Sequence, residues 1–314
     1  MAKGTRAVIV GIAGTVVVLP GACDNKPSAA SSSLDAKQSS TAAGVNAADT
    51  YKAVHAALGT PLLEAVRGDG PAPVLLKEHA RDIDRLVEAS RSATCDFGVD
   101  YTAGMDTMMP HLAMVRDLAR VLKADAARLL AAGDLDGAAK RIATIERIAA
   151  HVLQPAHSII ELLVVSAVAQ LGTGFVADNA SVANAPWKTD IQQALVDLEA
   201  QLAGRAATIV RLDGEMVVKA LRAGKMVDMR VAGGRDWTGA SQAERDAAAA
   251  TLAAIHGEVG RAWDAPGGAV RLGALEQQAK NEGVGDLMSP LAKTRRAVDD
   301  LQAALVKANR TLGG

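Results

Sequence analysis

Apolar residues in this chain recur at alternating steps of three and four, over segments too long for any strand. Leu112, Val115, Ala119, Leu122, Ala126 and Leu129 keep the alternation, as do Leu135, Ala138, Ile142, Ile145, Ala149 and Val152. It returns in Ile191, Leu195, Leu198 and Leu202 and resumes at Ile209, Leu212 and Met216. At the C-terminus it runs from Leu287 through Leu291, Thr294, Val298, Leu301, Leu305 and Ala308 to Leu312. A period of about 3.5 residues holds one seam of side chains on a partner when helices wind gently left-handed around each other. The spacing predicts an all-α fold: an antiparallel bundle of helical hairpins with coiled-coil-like packing.

The breaks between helices are also marked. Gly133-Asp134 joins a C-terminal glycine to an N-cap aspartate and predicts a tight pair, 111–132 and 135–153. Pro110, Pro155, Pro186 and Pro290 stand where a first helical turn tolerates proline. Ser241-Gln242-Ala243-Glu244 is a capping box opening a helix to about Trp263. "VAGGRDWTGAS" (231–241) and "DAPGG" (264–268) read as loops. Two organisations fit: a bundle over 46–182 followed by longer hairpins over 183–314, or one continuous domain. Ile159 to Val176 is apolar nearly all round, interrupted by Glu161 and Gln170, and reads as the central helix of the bundle.

The N-terminus carries a different signal. Lys3 and Arg6 precede thirteen uncharged residues, Ala7 to Leu19, which suits a signal-peptide core and is short of a spanning helix. In "VVVLPGACDNKPSAASSS" (16–33), Gly21-Ala22 stands directly before Cys23. This stretch resembles the lipobox of bacterial lipoproteins, with Pro20 where that pattern prefers an aliphatic residue and Leu19 one place back. The resemblance implies cleavage after residue 22 and a lipid such as palmitate on Cys23. It also implies a location at the cell membrane or outer membrane, facing the periplasm or exterior. An ordinary cleaved signal and an uncleaved anchor are the alternative readings. Asp24 beside the cysteine resembles the inner-membrane retention signal of some such lipoproteins.

Residues 23–45 are rich in Ser, Ala, Lys, Asp and Gln, with one leucine and no apolar period, and predict a disordered tether. About 21 residues of such chain reach about 25 Å. With Cys23 lipidated, Cys95 is the other cysteine of the chain's two, and no intramolecular disulfide forms.

Further on, "CDFGVDYTAGMDTMMPHL", "RDLARVL", "AAGDLDGAAKRI" and "SIIELLV" resemble a family of uncharacterised helical proteins from bacteria of planctomycete type. Cys95-Asp96-Phe97-Gly98 followed by Pro110-His111-Leu112 carries most of the likeness. It implies a shared fold and motif, and no activity.

Chemistry is sparse. The net charge is −1, no basic run appears, and aromatics make up 2% of residues, which disfavours nucleic-acid binding. P-loop, dinucleotide, G-x-S-x-G and HExxH patterns are absent. Cys95 beside Asp96 is a poor thiolate and reads as a plug at the bundle end. Met105, Met108, Met109, His111 and Met114 gather four of the nine methionines and an imidazole, a set that suits Cu(I) or, more plainly, fills gaps at a loop-helix junction. His157 and Glu161 share a helical face and offer two metal ligands without a third. Arg205 and Lys219 fall on the seam of the 191–216 pattern, where Arg205 is expected to meet Glu161 or to reach out to solvent.

The expected function is a non-catalytic binding or scaffolding module in the cell envelope, with no cofactor. Its partners are the membrane, through Cys23, and a protein, a cell-wall component or a small ligand. Copper handling through 105–114 and an enzyme with a site built from distant residues are the alternatives. A deep pocket with converging titratable groups would favour the enzyme, and exposed apolar helix faces a protein partner.

Overall fold

Gly133 takes a left-handed conformation (φ 81°), and the Asp134 carboxylate accepts the Gly137 N–H at 2.7 Å, so one helix stops at Ala131 and the next starts at Leu135. The computed structural model describes residues 46–68, 72–102, 107–225, 237, 239–288 and 290–313. Cys23, the 23–45 tether, Met105 and most of the 231–241 loop lie outside them. The described residues form ten α-helices and no strand: α1 (Ala47–Ala65), α2 (Ala72–Glu78), α3 (Ala80–Ala89), α4 (His111–Ala131) and α5 (Leu135–Leu153). There follow α6 (Ile159–Asp178), α7 (Lys188–Arg222), α8 (Gln242–Asp264), α9 (Gly268–Asn281) and α10 (Leu291–Gly313). The fold is all-α.

The α4–α5 hairpin lies at the centre. Helix α6 packs against α4, α5 and α10, α5 packs along α7, and α7 carries α8 and α10. Helices before and after residue 182 thus share one core, within a single compact unit. Helix α6 is long and apolar enough to span a membrane, yet its Leu162, Val165, Val168, Ala169 and Val176 are buried against neighbouring helices. Its apolar character has that core to fill.

Two local features depart from the sequence pattern. Helix α1 kinks at Gly59 (φ 66°, ψ 167°), two residues before Pro61, a conformation glycine adopts at no steric cost. In α7 the buried seam runs through Ile209, Asp213, Val217 and Leu221, so Leu212 and Met216 are only half-buried and Lys219 is exposed. The register predicted for that half is wrong because a charged residue occupies the seam. Asp213 belongs there because its Oδ1 accepts the Ile159 N–H at 3.0 Å and the Ser158 hydroxyl at 3.2 Å. A carboxylate at the start of α6 is favoured by the unpaired N–H groups and the helix dipole.

Candidate functional site

Residues 92–102, which follow α3, are tied to the start of α1, and the Cys95-Asp96-Phe97-Gly98 motif shapes them. Asn46, the N-cap of α1, accepts the Asp96 N–H at 2.8 Å and donates to the Asp96 carbonyl at 2.9 Å. The Asp96 carboxylate accepts the Gly98 N–H at 2.8 Å, closing a turn in which Gly98 is left-handed (φ 70°). This turn points Cys95 and Phe97 into the core. Burial, then the negative charge of Asp96, pushes the Cys95 thiol up to about 12, so it stays protonated and unreactive at neutral pH.

Phe97 stacks on His111, the first residue of α4, with ring centroids 4.7 Å apart and planes 22° from parallel. Tyr51 stacks beyond Phe97 and bonds His151 Nδ1 at 2.9 Å, while His151 Nε2 lies 3.0 Å from the Ser92 carbonyl. A carbonyl only accepts, so Nε2 carries the proton and Nδ1 accepts the Tyr51 hydroxyl. Burial holds His151 below the usual histidine value, in keeping with that neutral ring.

Behind His111 sits Glu161, with no exposed surface. Its Oε1 accepts the Tyr101 hydroxyl at 2.6 Å and lies 3.5 Å from His111 Nε2. Its Oε2 accepts the backbone N–H groups of His157 (2.8 Å) and Ser158 (3.0 Å). Burial alone would raise this carboxyl, but the donors from His111, Tyr101 and the two backbone amides outweigh it and hold it below the usual carboxylate range. Ser158 and Glu161 form a complete capping box for α6. The sequence Ser158-Ile159-Ile160-Glu161 carries that signature plainly. Reading Glu161 as a metal-ligand partner of His157, or as an interruption of an apolar run, passes over this cap.

The expected pairings at Glu161 are therefore corrected. The His157 ring lies against Tyr101, centroids 4.2 Å apart, and only its backbone meets Glu161. Arg205 donates to the Ala156 carbonyl at 2.9 Å, supporting the α5–α6 turn instead of the carboxylate. No group of three or more His, Cys, Asp or Glu side chains suited to a metal occurs among the described residues.

A cavity of about 580 Å³ opens over the Phe97–His111 stack. Val99, Pro110, Met108 and Met114 supply its apolar walls, and Lys52, His55 and Asp117 its polar ones. Lys52 donates to the Phe97 carbonyl at 3.2 Å, which draws its charge over the mouth. Asp117 is bound by Arg67, by Arg120 at 3.2 Å and by His55 at 3.5 Å. Of the methionine-rich segment, Met108 stands 80% exposed at the rim, Met114 is buried in the wall, and Met109 packs against the core. The cavity thus unites His111, Met108 and Met114 and leaves Met109 apart. Sequence reasoning missed Lys52, His55 and Asp117, which come from α1 and α4 and share no motif with the Phe97 turn.

Comparison with protein-family models, with curated proteins and with solved structures finds no match.

Proposed function

We propose that this protein is a lipid-anchored binding module of the cell envelope, and that the cavity over Phe97 and His111 takes a small flat aromatic molecule bearing an acidic group. The observation that carries the binding site is the convergence of a stacked aromatic wall with a cationic mouth in one apolar cavity. Small-molecule sites have this make-up, mostly apolar with a few placed polar groups. Phe97 and His111, largely buried, contribute an aromatic wall to this cavity, and a flat ring packs well against such a wall. The charge argues for an acid: Lys52 lies at the mouth, and Asp117 is more than neutralised by Arg67 and Arg120.

Titratable groups do converge here, which is the feature that would favour an enzyme. Each is already engaged, however: Lys52 by a carbonyl, Asp117 by two arginines, His111 by Glu161. Among the described residues, no serine, threonine or cysteine lines the cavity to act as a nucleophile. Exposed large apolar residues among those described, such as Val74, Ile160, Val196 and Val270, are scattered singly and make no docking face. Binding of a small molecule fits better than either catalysis or a helical partner.

Calorimetric titration tests the site. Indole-3-carboxylate is expected to bind more tightly than neutral indole or the non-planar cyclohexanecarboxylate, and Met114→Trp, which fills the cavity, to abolish binding. Equal affinity for all three, or an unchanged Met114→Trp variant, sinks the reading. The anchor rests on Lys3, Arg6, the Ala7–Leu19 run and Gly21-Ala22-Cys23. Intact mass of protein extracted from its native membranes is expected to equal residues 23–314 plus lipid; an unlipidated mass refutes it.

A second reading has one observation in its favour. Met108, Met114, His55 and His111 line the same cavity, and thioether with imidazole is a Cu(I) donor set. Saturable one-to-one binding of Cu(I) against a chromophoric chelator supports it, and its absence at micromolar metal excludes it.

A further inference from the structure

A second cavity, about 730 Å³, lies between the C-terminal half of α7 and the middle of α8. Its floor is made of small residues, Gly214, Gly257, Gly260 and Ala253, with the imidazole of His256 set among them. His256 is only 7% exposed, and neither ring nitrogen has a hydrogen-bond partner among the described residues. A neutral imidazole always carries one N–H and one lone pair. Left unmet in a buried place, such groups destabilise the fold. An apolar side chain would fill this position without that penalty.

The ring's place is enforced by its neighbour. A Cβ on residue 214 would come within 2.3 Å of His256 Nδ1, so glycine at that position of α7 is what admits the imidazole. Burial lowers the proton affinity of His256 and the nearby Asp213 charge partly restores it, which leaves a neutral ring with an N–H to donate at pH 7. The rim supplies charge. Arg211 pairs with Glu215 and the two cancel, whereas Lys219 and Arg222, both exposed, leave the mouth positive.

From this geometry we propose that the α7–α8 cavity binds a small amphipathic oxyanion, an alkyl phosphate or alkyl carboxylate. Its head accepts the His256 N–H in the field of Lys219 and Arg222, and its short apolar body lies on the glycine-alanine floor. The buried, unpartnered imidazole is the reason for an acceptor, the rim for an anion, and the apolar floor for a hydrocarbon part.

Calorimetric titration of the full-length chain with hexyl phosphate, hexanoate, hexanol and inorganic phosphate tests this. One-to-one binding of hexyl phosphate or hexanoate is expected, with the preferred head telling phosphate from carboxylate. Hexanol and inorganic phosphate should bind at least tenfold more weakly. The double substitution Lys219→Gln/Arg222→Gln, at two exposed positions that leave the core intact, should weaken binding at least tenfold, and His256→Phe likewise. Met114→Trp, in the other cavity, should change nothing. The proposal is overturned by no saturable binding of either anion at millimolar concentration, by hexanol or inorganic phosphate binding equally well, by affinity unchanged in the Lys219/Arg222 variant, or by loss of binding in Met114→Trp.

Discussion

Glu161 and Glu146 both lie with no exposed surface, and their surroundings push them in opposite directions. Glu161 accepts from Tyr101 and two backbone amides with His111 beside it, and is held ionised. Glu146, on α5, is pressed against Gly172 of α6, where a Cβ would meet its Oε1 at 2.1 Å. Burial raises its carboxyl well above the usual value, and a contribution from the Thr173 N–H offsets only part of this. With its proton affinity lowered by folding, Glu161 adds stability above the unfolded carboxylate value of about 4.3, and that stability is lost as pH falls through the folded value. With its proton affinity raised by folding, Glu146 favours the fold most below about 4.3, and stability declines as pH rises toward its folded value. Glu161→Gln is expected to cost about 2–3 kcal/mol at pH 7 in urea unfolding, from the lost charge-assisted bonds. Glu146→Gln should instead gain stability relative to the parent as pH goes from 5 to 8; a constant difference across that range would contradict a neutral Glu146. The capping role of Glu161 is written in Ser158-Ile-Ile-Glu161. Glu146 is not readable, because its burial depends on a glycine in a different helix.

Between elements, the hairpin was legible and the polar ties were not. Gly133-Asp134 and the seam through Leu112 to Val152 act within a few residues, so sequence alone placed α4 and α5. The same hairpin is tied to α3 by a network that no spacing announces. Arg141 of α5 bonds the fully buried Asp125 of α4 at 2.8 Å and Asp84 of α3 at 2.6 Å, and Arg128 also reaches Asp125 at 2.7 Å. Arg141→Met leaves Arg128 on Asp125 Oδ1 but strips Oδ2 of its partner in a buried place, so it should destabilise by about 1–3 kcal/mol. Asp125→Asn/Arg141→Met together should cost less than the sum of the single changes, and strict additivity in denaturant midpoints would show that the pair is not coupled. Helix α7 teaches the same lesson. Its seam passes through Asp213, which a search for apolar spacing steps over, and the predicted register slipped by one residue as a result.

At the scale of the whole molecule, the helices after residue 182 buttress those before it, and the end of the bundle beneath the Phe97 turn is left to form a cavity. The all-α class followed from periodicity because each helix must bury a stripe. The cavity did not, because Lys52, His55, Phe97, His111 and Asp117 are brought together by the crossing of the 92–102 segment over α1 and α4. The motif Cys95-Asp96-Phe97-Gly98 with Pro110-His111-Leu112 marked two walls of it, and the methionine-rich segment a third. The most direct measurement of its use is methyl NMR of protein carrying carbon-13 methionine, titrated with indole-3-carboxylate. The account predicts saturable shifts of the Met108 and Met114 methyls, with Met288, far along the chain before α10, unmoved. No shift at Met108 and Met114, or shifts confined to the other methionines, would contradict a binding site over Phe97 and His111.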